Sequence, residues 1–138
     1  MKHKSEITWK HDLVFESSTL GFKFTFDTSP DAEGKSEGPL PKNMLLAALG
    51  GCTGINIMAI LKKMEVKPDY FNVEVEAEPV ETSPKVYPVI RIRYVFRGKD
   101  LPKDRIEWAI SLAEEKYCAV TAMLSKSAKI EHEIVIEE

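Results

Sequence analysis

A chain of 138 residues with 43% hydrophobic and 30% charged side chains has the make-up of one globular domain, 1–138, and is long enough to bury a core without disulfide or metal support. Its 19 basic and 22 acidic residues leave a net charge of −3, which argues against a nucleic-acid or anionic-membrane surface and points to small molecules or proteins as partners. Met1 to Glu6 is polar with no apolar segment behind it, so no export signal is read and the expected compartment is the cytoplasm. In a reducing compartment a pair of cysteines is more often redox-active or metal-binding than a permanent staple. Glutamine is absent and asparagine occurs three times beside abundant Lys and Glu, a bias reported for proteins from hot environments.

The opening third reads as short antiparallel strands at Ile7-Thr8-Trp9, Leu13-Val14-Phe15 and Phe22 to Phe26. In the last of these, three phenylalanines alternate onto one face, so a meander with one buried side is expected. Residues 27–41 collect Asp, Ser, Gly and three prolines and are expected to form a surface loop, with Pro39 and Pro41 preparing a helix start. From Asn43 to Leu61, 19 residues carry no charge, enough by length for a membrane span. Asn43, Gly50, Gly51, Thr53, Gly54 and Asn56 would sit poorly in lipid, so a helix buried within protein is predicted. Glycines cost a helix roughly 1 kcal/mol each, and their presence predicts another backbone passing close by; Gly50 and Gly54 share a face suited to a helix contact.

Two strands follow. Phe71, Val73, Val75 and Ala77 alternate with Asn72, Glu74, Glu76 and Glu78; Ile90, Ile92, Tyr94 and Phe96 alternate with Arg91, Arg93, Val95 and Arg97. One face is apolar and the other charged, with opposite signs placed to pair across a hairpin. Leu101-Pro102-Lys103-Asp104 opens a helix reaching about Tyr117, with Ile106, Ala109, Ile110 and Ala113 on its buried stripe. A further helical turn or two from Ala119 to Ser127 precedes a final strand, Lys129 to Glu137. No repeat and no domain boundary is visible.

No Gly-rich phosphate loop, nucleophile elbow or His-Glu-x-x-His helix occurs, so sulfur is the candidate reaction centre. Cys52 sits mid-helix and is either a small core hydrophobe or, given a nearby cation or hydrogen-bond donor, a reactive thiol; Asn56 is placed to supply a donor. Cys118 lies where one helix can end and another begin. A helix starting at Ala119 would set the thiol at a positive dipole end and lower its pKa, whereas one continuous helix would make it packing material. His132 shares a face with Ile130, Ile134 and Ile136 and reads as a satisfied core histidine. His3 and His11 are expected to face water. No metal-ligand spacing occurs, and Arg91, Arg93 and Arg97 are expected to pair with the glutamate face.

The two segments Pro39-Leu40-Pro41-Lys42-Asn43-Met44-Leu45-Leu46-Ala47-Ala48-Leu49-Gly50-Gly51-Cys52-Thr53 and Glu115 to Lys126, with cysteines 66 residues apart, together resemble the OsmC/Ohr family of stress-response proteins. The resemblance covers essentially the whole chain. It implies an α+β fold with antiparallel sheets packed on a long buried central helix, an intertwined homodimer, and sites at the shared interface. It also implies thiol-dependent reduction of hydroperoxides in the oxidative stress response: Cys52 attacks the peroxide, Cys118 resolves the sulfenic acid to a disulfide, and an external thiol or dithiol restores both. No cofactor or metal is implied.

Departures from the pattern bear on activity. The better-known reductases of the family use an amino-terminal arginine and a glutamate ten residues before the reactive cysteine. Here that position is Lys42, and no arginine precedes Arg91, so the chain resembles the OsmC-like branch more closely. Ala119 replaces the proline often found after the second cysteine. Two other readings follow from the same residues: a non-catalytic protein binding an apolar small molecule at the dimer interface, or a cysteine redox sensor.

Overall fold

The computed structural model describes residues Met1–Glu138, which gather into two compact units, Met1–Leu45 and Leu46–Glu138. The architecture is α+β, with two three-stranded sheets and one long helix.

In the first unit β1 (Ser5–His11), β2 (Val14–Thr19) and β3 (Phe22–Phe26) form an antiparallel meander. Its turns are tight because Asp12, Leu20 and Gly21 take positive φ, the backbone hand that matches strand twist in short hairpins. The expected buried side is not buried in the single chain: Ile7, Trp9 and Phe22 are each more than half exposed. Three strands alone supply no second layer to cover a face. The loop behind β3 is organised by Asp27, which is buried and accepts N–H bonds from Thr28 at 2.7 Å, Lys35 at 3.1 Å and Glu37 at 3.1 Å. Those donors hold its carboxyl below the usual carboxylate range, the Glu37 N–H acting most strongly.

Helix α1 (Pro41–Lys63) buries only Leu49, Thr53, Ile57 and Leu61, one residue per turn. It is long and apolar enough to cross a membrane by length and composition. The expectation of a buried helix therefore holds for one stripe within a single chain, while Ile55 and Met58 remain exposed. Gly50 and Gly54 do share a face, but their neighbours are strand side chains and not a helix: a Cβ on Gly50 would meet Val75 at 3.1 Å, and one on Gly54 would meet Val73 at 3.5 Å.

The second sheet has the order β4 (Tyr70–Ala77), β5 (Val89–Arg97), β6 (Lys129–Glu137). β4 and β5 pair antiparallel, whereas β6 joins β5 in parallel. A parallel neighbour needs a crossover, which here consists of α2 (Lys103–Leu112), a π-helical turn (Ala113–Tyr117) and α3 (Ala119–Leu124). Alternation sorts the faces as expected. Ile90, Ile92, Tyr94 and Phe96 are buried with Leu49, Ile57 and Leu61 of α1 and with Ile106, Ala109, Ile110 and Ala113 of the crossover. On the charged face Arg93 reaches Glu74 at 3.4 Å and Glu133 at 3.1 Å, and Arg97 reaches Glu137 at 3.8 Å.

Candidate thiol site

Cys52 is half-buried on α1. One turn on, Asn56 Nδ2 donates to the Cys52 carbonyl at 2.8 Å and lies 3.7 Å from its sulfur, so the expected donor is in place. Thr53, wholly buried, donates its hydroxyl back to its own helix, with the Leu49 carbonyl at 3.0 Å and the Gly50 carbonyl at 3.2 Å. Lys42 occupies the first turn of the same helix.

Cys118 is set by a helix break. Its N–H donates to the Ala113 carbonyl, five residues back, at 2.8 Å; this π-type bond closes the crossover helix. Its backbone is then extended, with φ −81° and ψ 102°, and its sulfur caps α3 by accepting the Thr121 N–H at 3.4 Å. Two helices meet here, and the single continuous helix is excluded. The thiol is 3% exposed, and burial is the largest influence on its pKa, which is raised. The Thr121 hydroxyl and N–H act in the opposite sense, while the adjacent Cys52 thiol adds to the rise. The Thr121 Oγ1 itself completes no hydrogen bond of normal geometry. The dipole of a six-residue helix is thus outweighed, and desolvation keeps the proton on sulfur.

Both cysteines are free thiols, near enough in the fold for Cys52 to act on the Cys118 thiol. The structure therefore unites the two residues that the sequence singled out. An apolar groove of about 300 Å³ runs from Asn56, beside Cys52, past Ile60, Met64, Trp108, Leu112 and Tyr117. No group of three or more His, Cys, Asp or Glu side chains is arranged to hold a metal ion.

Sequence reasoning did not connect a second polar cluster. Tyr94 of β5, fully buried, donates its hydroxyl to Glu114 Oε2 at 2.7 Å. His132 Nδ1 lies 2.8 Å from Oε1 and 3.0 Å from Oε2 of the same carboxylate. Burial pushes the Tyr94 phenol up, and the Glu114 charge adds to it; the hydrogen bond to Glu114 raises His132. His132 is not a core histidine: it keeps its apolar strand face, but β6 is the sheet edge, leaving its side chain 31% exposed. His11, half exposed beside Asp12, faces water as expected.

Residues 34–133 match the family described as OsmC-like protein. Protein YhfA of Escherichia coli K12 is 29% identical over 130 residues, covering 94% of each chain. A hypothetical protein from Aquifex aeolicus VF5 superposes with a TM-score of 0.83 at 31% identity, covering 100% of this chain and 99% of its own. A Legionella pneumophila protein titled organic hydroperoxide resistance protein OsmC, predicted redox protein, superposes at 0.71 with 11% identity, covering 98% of this chain and 97% of its own; that last likeness is one of fold.

Proposed function

The chain belongs to the OsmC-like protein family, and on that premise we propose that it is a thiol peroxidase reducing hydroperoxides through Cys52 and Cys118. The observation that carries this reading is the apposition of two free thiols from distant parts of the chain. Cys52, the more exposed of the two, attacks the outer peroxide oxygen. The O–O bond breaks, an alcohol or water leaves, and Cys52 becomes a sulfenic acid. Cys118 then attacks the Cys52 sulfur, the hydroxyl leaves as water, and a disulfide forms. An external thiol or dithiol reduces it by exchange, which suits a cytosolic location. The name of the Legionella pneumophila protein supports hydroperoxide as the substrate class.

The reading includes a second copy of the chain as partner, since both units leave apolar side chains uncovered, among them Trp9, Phe22, Ile55 and Met123.

The test is chemical. After one equivalent of peroxide the unaltered protein should contain a Cys52–Cys118 disulfide, Cys118→Ser should accumulate a dimedone-trappable sulfenic acid at Cys52, and Cys52→Ser should do neither. Label on Cys118 in a Cys52→Ser protein that still consumes peroxide would reverse the roles. If neither sulfur reacts, the enzyme reading fails.

A further inference from the structure

A cysteine that closes a disulfide must later be released from it, and it leaves as a thiolate. Cys118 is 3% exposed, so water does little for that charge and donors of the chain itself must hold it. Its own N–H is engaged with the Ala113 carbonyl at 2.8 Å. The donor already in place is the Thr121 N–H, 3.4 Å from the sulfur.

The same residue carries a second donor. The Thr121 hydroxyl is the one buried side-chain N or O atom of the chain without a hydrogen-bond partner, and the residue is 8% exposed. A threonine within a helix ordinarily returns its proton to a carbonyl of its own helix, as Thr53 does with Leu49 and Gly50. For Thr121 the residue four back is Tyr117, on the far side of the break at Cys118, and the Cys118 carbonyl already accepts the Ala122 N–H at 3.1 Å. The break that fixes Cys118 thus also frees the hydroxyl of the residue that touches its sulfur. Buried polar atoms are seldom left unpaired, and one that is calls for a use.

We propose that the Thr121 hydroxyl is held for the Cys118 thiolate: it turns its proton to the sulfur when the disulfide opens, and so makes Cys118 the leaving group of the reduction. The proposal deepens the peroxidase reading and rests on it for the disulfide.

In that step the reductant, a thiol ionised to thiolate, attacks the sulfur of Cys52, the less buried of the two. An S–S bond forms between reductant and Cys52, the Cys52–Cys118 bond breaks, and its electron pair goes to Cys118, where the Thr121 N–H and O–H both donate to it. A second reductant thiolate then attacks the reductant sulfur of the mixed disulfide and frees Cys52. The reductant ends as its own disulfide, both cysteines are reduced, and the two protons given up by the reductant thiols end on Cys52 and Cys118. Burial, which raises the Cys118 pKa, favours that return to the neutral thiol. A sulfur departs faster the lower its pKa, so donors on Cys118 direct attack to Cys52.

Diamide forms protein disulfides without peroxide and so tests the donor apart from the first reaction. Reduced with glutathione at neutral pH, the diamide-oxidised protein should pass through a mixed disulfide on Cys52. Thr121→Val, which keeps the size and the backbone N–H, should slow that step by about 3- to 10-fold, and Thr121→Ser should restore it. In a Cys52→Ser background, thiolate absorbance should place the Cys118 midpoint about one to two pH units higher in Thr121→Val, the worth of one hydrogen bond to a charged group, with serine again restoring it. Tyr94 on β5 is a titratable group close enough to act on that thiol, and it is the same in every protein compared. If Thr121→Val does not fold, Thr121→Ala carries the same comparison. An unmoved rate or midpoint, a change that serine does not rescue, glutathione found on Cys118, or no disulfide under diamide would overturn the proposal. A protein that shows the Thr121 dependence after diamide yet consumes no peroxide would remove the peroxidase reading and keep the donor.

Discussion

His132 illustrates how a position can be read correctly by face and wrongly by depth. Alternation along Lys129–Glu137 places it among Ile130, Ile134 and Ile136, but depth depends on strand order, and β6 is an edge. Its partner Glu114 is 18 positions away, and Tyr94 lies 20 positions before Glu114; no local spacing announces such a cluster. The cysteines were legible because their segments are unusual in themselves. The ion pair has a consequence for stability. Glu114 raises the folded pKa of His132 above its unfolded value of about 6.5. The stabilisation is therefore fully present below that value and is lost as pH rises through the raised one. Partial exposure limits it to about 0.5–1 kcal/mol. Urea unfolding should show His132→Asn less stable than the unaltered protein at about pH 5.5, with the gap closing by about pH 9.

At the scale of elements, α1 and the crossover differ in how plainly they are written. The uncharged run and its flanking lysines mark α1, but the direction its glycines face depends on what the chain packs there. They meet Val73 and Val75 of β4, whose branched side chains need the room that missing Cβ atoms leave. The two glycines should respond differently to substitution. A methyl on Gly54 would make ordinary contact with Val73 at 3.5 Å, so Gly54→Ala should gain up to about 1 kcal/mol from helix propensity. Gly50 is already tight at 3.1 Å from Val75, and Gly50→Leu should cost about 1–3 kcal/mol by overpacking. Thermal unfolding of the two variants checks the opposed signs; a destabilised Gly54→Ala would mean that more than Val73 crowds the position. In the crossover, the buried stripe of Ile106, Ala109, Ile110 and Ala113 was readable from periodicity. The π turn was not, because one extra residue in a turn leaves no compositional mark, and without a proline at position 119 the break at Cys118 rests on the Ala113 bond and the Thr121 cap.

For the whole molecule, the strands and one long helix were legible from alternation and from the uncharged run, whereas the parallel entry of β6 was not, since pairing direction is set by where the crossover returns the chain. The least expected result is how little of the apolar surface one chain covers. Ile7, Trp9 and Phe22 in the first unit, and Ile55, Trp108, Tyr117 and Met123 in the second, are each more than half exposed. Large exposed apolar side chains in such number suit surfaces that a partner covers. If a second copy covers them, Ile55, 74% exposed on α1, separates the cases cleanly. On a free surface, Ile55→Glu would change stability by within about 0.5 kcal/mol. Within an apolar interface it would bury an unpaired carboxylate on each side, a penalty of several kcal/mol. Sedimentation at micromolar protein should therefore show a dimer for the unaltered chain and a monomer or an unfolded chain for Ile55→Glu, with its urea midpoint sharply lowered. A folded monomer in the first case, or an unperturbed dimer in the second, would leave the helix without the partner that its exposed face requires.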